Sequence, residues 1–500
     1  METEIKLDAA EDQVLPGFED LVTVARSSTT LRARYWDTGD RDLLRWGVTL
    51  RHRRATDGSE DVWTLKIGPG PDGGTSSRTE LTSTASSDTP PAELLRLLRG
   101  VTANRQVGPI AEIITDRSVR RLGRDLWSAQ VEVADDRVTS SVGGSPGPAF
   151  RQVEAELIDP RAVETLGSVV EILASSGLER SPYRSKLARV LGDETPAVTD
   201  ERVLGSGASL EQSISALLCD HHERLVLADI RIRVSDDVEA VHRARTGTRR
   251  ARSTLTTFRP YLRRSAVDHL MGELRWYGGL LGRVRDLDVM DERLRGLARD
   301  IGIGGVATSP AGSDELDEVL EILEGQRQVD RRQLLSAMDG ERYLAMLDLL
   351  SDSARTPPLR RHVDGGRSAA RVQRDRSRAE WKKVRRAHRR LDDGLTVDGL
   401  HALRKKVKGV QESARGAERI GLDAERLRRA AGALKDELGE HQDIIVLSRW
   451  LDDVQGRLGY RAAYLAGRAR QRLDEHRRLL EESWPERWHD LDRGRNRRWM

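Results

Sequence analysis

Met1-Glu2-Thr3-Glu4-Ile5-Lys6 opens the chain, and its alternation decides how the first two hundred residues are read. Taken as a strand, it puts Glu2, Glu4 and Lys6 on one face and Thr3 and Ile5 on the other. Two carboxylates beside an ammonium make a poor core surface. They suit a site that holds a hard cation against a polyanion, because carboxylate oxygens ligate Mg²⁺ or Mn²⁺ and lysine pairs with phosphate. A solvated face on a terminal strand would also fit this segment alone.

The same alternation recurs downstream. Arg51 and Arg53 flank His52, Thr64 and Lys66 share a face, Arg78 alternates with Glu80, Glu132 with Ala134 and Asp136, and Glu154 with Glu156. Strand after strand sets a charged face of both signs opposite an apolar one. An open sheet would hold such faces in water; a closed barrel would turn them into a polar lumen. The rest of this part reads as strand-rich, with helices expected near 88–99 and 160–175.

This set resembles the CYTH domain of the triphosphate tunnel metalloenzymes: Glu-x-Glu-x-Lys at the start, Leu50-Arg51-His52-Arg53, Leu65-Lys66, Arg78-Thr79-Glu80, the Glu154/Glu156 pair and Ser185-Lys186-Leu187-Ala188-Arg189. The resemblance implies an antiparallel eight-stranded β tunnel over residues 1–191, binding a triphosphate and one or two divalent cations. Lys6, Arg51, Arg53, Lys66, Arg78, Arg117 and Lys186 would cradle phosphate. Glu2, Glu4, Glu154 and Glu156 would hold Mg²⁺ or Mn²⁺, with Glu4, Glu132 and Asp136 as catalytic candidates. The implied reaction is metal-assisted hydrolysis by in-line attack of water on a terminal phosphorus. For each residue taken singly the alternative is a solvated charge or a cross-strand salt bridge.

Composition sets the wider bounds. Five hundred residues accommodate about three domains. The single cysteine, Cys219, excludes an internal disulfide and any cysteine-rich metal centre. No apolar run of about 18 residues stands in the sequence, and the N-terminus lacks the basic and apolar regions of a signal peptide. The cytoplasm is the expected compartment, with no membrane partner.

Charge divides the chain. Residues 1–200 carry 25 Lys+Arg against 32 Asp+Glu, whereas the remainder carries 59 against 49. A Pro- and Gly-containing linker is expected at 192–207, and long helical patterns rich in Arg, Leu, Ala and Glu follow it over 208–500. Within them a unit repeats, at about 210–300 and 365–495. His242 and His401 stand 159 residues apart, and Gly282 and Gly439, each preceded by leucine, stand 157 apart. Gly302 and its neighbours, and Thr356-Pro357-Pro358, mark breaks between the copies.

At about 100° per residue, His242, Arg245, Arg249 and Arg252 share one helix face, as do His401, Arg404, Lys405 and Lys408. Like charges at such spacings destabilise an isolated helix. Either a bound polyanion or acids on a neighbouring helix, with Asp286 and Asp443 the obvious ones, would offset this. A further stripe, Arg371, Arg374, Arg378 and Lys382, continues to Arg385 and Arg389, over about 27 Å at 1.5 Å per residue, longer than one triphosphate needs.

The repeated motifs look like the CHAD domain, the conserved-histidine α-helical domain. The resemblance implies an all-α duplicated bundle that binds inorganic polyphosphate on a basic surface between its halves. Gln442 and Ile445 stand where the first copy has Arg285 and Asp288, which puts the second copy's share of binding in doubt. The expected class is therefore α+β and multidomain. The expected function is hydrolysis of inorganic triphosphate joined to polyphosphate binding, with a non-catalytic polyphosphate scaffold as the alternative. Nucleic acid ranks third, because a basic stripe attracts any phosphodiester. Oligomeric state is not readable.

Overall fold

The computed structural model describes residues 4–68, 79–84, 87–183, 185–192, 204–205, 207–300, 314–391 and 394–500. Glu2, Arg78, the loop expected from Gly302 and most of the expected linker lie outside the described residues. The chain divides into two compact units, Met1–Asp200 and Glu201–Met500. Among the described residues no helix is long and apolar enough to cross a membrane.

The first unit is a sheet of ten strands: β1 (Glu4–Ala9), β2 (Val22–Asp37), β3 (Val48–Ala55), β4 (Asp61–Ile67), β5 (Thr79–Ser83), β6 (Gly108–Gly123), β7 (Val131–Val142), β8 (Ser145–Pro146), β9 (Phe150–Leu157) and β10 (Glu179–Arg180). Nine of them follow the order β10-β1-β9-β7-β6-β2-β3-β4-β5, and β8 pairs with β7 off this path. Every pairing is antiparallel. The antiparallel architecture agrees with the sequence reading, and two details differ. The strand count exceeds eight because β8 and β10 each add a two-residue pairing. The path also has two ends, β5 and β10, so the sheet is open among the described residues.

Four helices accompany the sheet: α1 (Asp42–Arg45), α2 (Ala92–Thr102), α3 (Val163–Ser175) and α4 (Lys186–Leu191). Alternation sends Leu7, Val153, Ala155, Val131, Val133 and Leu122 to the face on which Leu166, Val169, Val170 and Leu173 of α3 pack. α4 takes the opposite face. Its Leu187 and Val190 pack with Ala33, Tyr35, Ile113, Val138 and Phe150, and the Ser185 hydroxyl caps its start by accepting the Ala188 N–H. That cap matters because Lys186 is the first residue of the helix it fixes.

The second unit consists of α5 (Leu210–Val234), α6 (Val238–Phe258), α7 (Arg264–Asp300), α8 (Asp314–Met338), α9 (Glu341–Arg355), α10 (Ala369–Arg389), α11 (Val397–Arg419), α12 (Glu425–Val454) and α13 (Tyr460–Leu491). α5 starts on a capping box: the Ser209 hydroxyl accepts the Gln212 N–H while the Gln212 side chain accepts the Ser209 N–H. Asp237 and Thr396 cap the corresponding helices of the two copies, α6 and α11. One apolar core joins α5, α6, α7 and α9, and a second joins α10, α11, α12 and α13. A third forms where the far ends of α7 and α12 meet α8 and α13. The repeat in the sequence is thus two helical half-bundles.

Leu173, fully buried between α3 and the sheet, tests the packing of the first unit. Leu173→Ala is expected to lower its stability by about 2–5 kcal/mol, read from urea denaturation as a reduced midpoint at unchanged slope.

Candidate functional site

Strand register, rather than any single contact, assembles the charged face. Lys6 lies opposite Glu154, which lies opposite Ala134, and Glu4 lies opposite Glu156, which lies opposite Glu132. Asp136 lies opposite Arg117. Across β2 the same face passes through Tyr35, which is opposite Arg51; Arg53 is two residues on, and Lys66 of β4 is opposite Glu80 of β5. Every described phosphate, metal and catalytic candidate on a strand therefore points to one side of one sheet. Lys186 joins them from α4.

Four of these side chains form a closed quartet. Arg117 forks onto Asp136, Nε donating to Oδ1 at 2.8 Å and Nη2 to Oδ2 at 2.7 Å, and Nη2 also reaches Glu154. The Lys186 ammonium donates to Asp136 at 2.9 Å and to Glu154. Asp136 is fully buried and Glu154 is 8% exposed. Burial pushes the Glu154 carboxyl up, but Lys186, Arg117 and Lys6 together overcome this and hold it well below the usual carboxylate range. The Arg117 guanidinium responds in the opposite direction: burial lowers its pKa, and Asp136 and Glu154 raise it further than that. Two positive and two negative charges make this burial tolerable. Saturated by Arg117 and Lys186, Asp136 is chemically a clamp on two cations rather than a free base.

The remaining candidates are placed as follows. Glu4 sits 3.0 Å from Lys6, Lys66 2.8 Å from Glu80, and Glu132 accepts from Arg121 at 2.9 Å. Arg53 donates through Nε to Glu60 at 2.6 Å. Arg51 turns toward Tyr35, a residue the charge pattern did not mark. Burial raises the Tyr35 phenol, and Arg51, with Lys186 and Arg53, more than reverses this. Tyr35 therefore links the arginine row to the quartet. On β2 the charged residues Arg32 and Arg34 lie on the other side, where they approach Glu112.

The donor chemistry of Glu4, Glu156 and Glu132 fits a divalent cation: hard carboxylate oxygens, supplied by three adjacent strands in one row. As the side chains stand, no group of three Asp, Glu, His or Cys converges on a common point among the described residues.

In the second unit α6 and α11 bring the two copies together. Arg245 donates to the Gly282 carbonyl at 3.1 Å and to Asp286. Arg404 repeats the placement over Gly439, where a Cβ would lie only 3.3 Å from its Nη2. The Leu-Gly repeat thus marks the point at which an arginine lies flat on the next helix. Arg245, Arg249 and Arg404 all bear on Lys408: burial first, then these three cations, lower its ammonium to about 7, with Glu412 opposing. Burial also lowers the His242 and His401 imidazoles, with Arg285, Arg249 and Arg245 adding to the first and Lys405 and Arg404 to the second. The side-chain Nε of Arg249, Arg252 and Arg404 and the Nδ1 of His401 are buried without a hydrogen-bond partner, which a bound anion would supply.

Along α10, Arg371, Arg378 and Lys382 are exposed, whereas Arg374 donates to the Trp499 carbonyl at 2.9 Å. Arg378 pairs with Asp375. Val384 and Leu391 lie buried on the opposite side. His441 is buried against Glu481 and His221 against Thr254. The sequence did not mark Arg250, Glu412 and Arg415, which adjoin the seam and pair among themselves.

The CYTH domain family matches residues 1–190 and the CHAD domain family matches residues 216–452. An uncharacterized protein of Mycobacterium tuberculosis is 29% identical over 97% of both chains. Among solved structures, the CHAD domain from the plant Ricinus communis is 22% identical, with a TM-score of 0.47 over 59% of this chain and 95% of that one. A Hippeastrum putative adenylyl cyclase described as having a dominant triphosphatase activity is 17% identical, with a TM-score of 0.26 over 40% of this chain and all of the other.

The quartet has a pH signature. The Glu154 carboxyl titrates lower folded than unfolded, so its stabilisation is complete above the unfolded value of about 4.3 and is lost as pH falls through the folded value. Glu154→Gln is expected to cost about 3–5 kcal/mol at pH 7 by leaving buried cations under-compensated. In denaturant melts across pH, the gap between variant and parent should narrow below about pH 4; a gap independent of pH would refute the ionised pairing.

Proposed function

Because the chain belongs to the CYTH family over residues 1–190 and to the CHAD family over 216–452, we propose that the first unit hydrolyses inorganic triphosphate with Mg²⁺ or Mn²⁺ and that the second binds inorganic polyphosphate. The observation that carries the reading is the single charged face, on which basic rows adjoin the Glu4–Glu156–Glu132 row. Family membership supports phosphoanhydride chemistry, and inorganic triphosphate is the simplest ligand that uses both charges.

On this reading Lys6, Arg51, Arg53, Lys66 and Lys186 bind and orient the phosphate chain, and Arg117 holds Lys186's two carboxylate partners in place. Glu4 and Glu156 would hold the cation, with Glu154 within reach of the same face. A divalent ion there would offset phosphate charge and lower the pKa of water. Glu132 is the acid on the row best placed to orient water, since Arg121 holds it from one side only. Dense positive charge close to the reacting phosphorus would stabilise the transition state electrostatically.

A second reading, a polyphosphate-associated scaffold whose sheet binds without turnover, draws on a specific observation. Glu4 and Glu154 are engaged by lysine and arginine, and no carboxylate triad converges among the described residues. Phosphate release separates the two readings. Purified chain with tripolyphosphate and Mg²⁺ or Mn²⁺ should release phosphate, chelator should stop it, and Glu156→Gln should reduce turnover by about 10²-fold or more at unchanged thermal stability. Metal-independent or absent release would leave the scaffold.

For the second unit, loss of one charged contact is worth about 1.5–3 kcal/mol. Arg404→Ala should therefore weaken polyphosphate binding roughly 10- to 100-fold in calorimetry, and the affinity of the parent should fall steeply with salt. Competition by duplex DNA at fixed salt should be weak; equal competition would favour a general polyanion site.

A further inference from the structure

α11 separates two basic surfaces of the second unit. Toward α6 it presents Glu412, 3.8 Å from Arg250, and, one and two turns before it, Lys408 and Arg404 of the seam. Toward α10 it presents Gly409 and Ser413. Gln373 of α10 donates to the Ser413 carbonyl at 2.8 Å and to its hydroxyl at 3.0 Å, and Ser377 lies 2.7 Å from the same hydroxyl. Glu380 stands against Gly409, where a Cβ would lie 3.3 Å from its carboxylate. At about 100° per residue, Arg371, Arg378, Lys382, Arg385 and Arg389 fall on the other side of α10, within an arc of roughly 60°. All five are exposed. Their row runs about 27 Å at 1.5 Å per residue, and Asp375, 3.1 Å from Arg378, is the carboxylate within it. The segment after α13 widens this ridge. Arg374 donates to the Trp499 carbonyl at 2.9 Å, and the Arg497 guanidinium lies 4.2 Å over the Trp381 ring. These contacts bring the short helical turn Gly494–Arg497, with exposed Arg495, alongside α10. Seam and ridge are therefore different sites.

The seam suits a slender anion, because the Nε atoms of Arg249, Arg252 and Arg404 are buried and a ligand must enter among them. The ridge is the reverse: convex, straight and solvated. Charge contacts in water are individually weak, so a flexible chain laid along it would lose conformational freedom that such contacts scarcely offset. A rigid rod with phosphates on its outside meets the row without that loss. Duplex nucleic acid is such a rod, with a persistence length of about 50 nm and one negative charge per about 1.7 Å of axis. A lipid surface fits less well, since interfacial helices insert an apolar face, and that of α10, with Trp381 and Val384, is buried in the bundle. We propose that the α10 ridge is a second polyanion site, which takes the phosphodiester backbone of a duplex nucleic acid without reading its bases. The proposal goes beyond the polyphosphate reading of the seam and does not depend on it.

Fluorescence anisotropy of the full chain with labelled duplex DNA of about 20 base pairs tests this. Two duplexes of unrelated sequence should bind alike, with log affinity falling linearly against log salt by about 0.9 per phosphate contact. Lys382→Gln/Arg385→Gln/Arg389→Gln, all at exposed positions, should weaken binding about 10-fold or more near 0.1 M salt and reduce the slope by about 2–3. Arg371→Gln/Arg378→Gln, at the other end of the row, should reduce the slope by about 1–2. Arg404→Ala, on the seam, should leave duplex affinity within about twofold. No duplex binding by the parent at about 50 mM salt, an unchanged slope in both ridge variants, or an equal loss in Arg404→Ala overturns the proposal. Calorimetry in which the triple variant loses polyphosphate sites while its duplex binding stands gives the ridge to polyphosphate and overturns it too. So does sedimentation with phosphatidylserine vesicles that depends on the ridge when duplex binding does not. Failure of the parent to bind polyphosphate, with duplex binding on the ridge intact, removes only the earlier reading of the seam.

Discussion

The buried contact of Arg117 and Lys186 with Asp136 and Glu154 is the constraint on which the first unit depends. It ties together β6, β7, β9 and α4, which are remote in sequence. Because the group is neutral as a set, it can be withdrawn from water at a cost that four ions of one sign could not meet. The same contact brings Lys186 to the charged face, so that holding α4 on the sheet and presenting a cation to an anion are one event.

The second unit solves the opposite problem. There the two half-bundles bring cations of one sign together along α6 and α11, and the acids close by are shared among several arginines. Buried guanidinium Nε atoms without acceptors on Arg249, Arg252 and Arg404 leave the apolar cores around the seam, rather than its own charges, to hold it together. Such an arrangement is electrostatically unfavourable in the free protein. Balanced charge in one unit and unbalanced charge in the other is the pattern expected when the first must hold cations and anions together and the second only anions.

Much of this was legible in the sequence. A period of two in charge put the described strand candidates, from Lys6 to Glu156, on one common face of the sheet, because side-chain alternation leaves a strand no other choice. On β2 the charged residues Arg32 and Arg34 lie on the exposed side, and Tyr35, which the charge pattern did not mark, lies on the side shared with Arg51. Pairing was not legible. That Asp136 serves Arg117 and Lys186 rather than a water molecule follows from register across three strands, which alternation within each strand does not determine. Strand number was misjudged for a similar reason, since two-residue strands carry no pattern.

The repeat shows how duplication was kept in one respect and spent in another. Arg245 and Arg404 both lie against glycine on the following helix, and at Gly439 any side chain would press on the guanidinium from 3.3 Å. At Gly282 the fit is looser, a Cβ there lying 3.8 Å from the Arg245 guanidinium carbon. The next position is electrostatic and has diverged: Arg285 adds to the field that lowers His242, whereas in the second copy Gln442 hydrogen-bonds His401 and opposes the lowering. Replacing a charge by a neutral partner there relieves repulsion at a seam already crowded by Arg404, Lys405 and Lys408. The second copy thus contributes fewer fixed charges to the seam than the first.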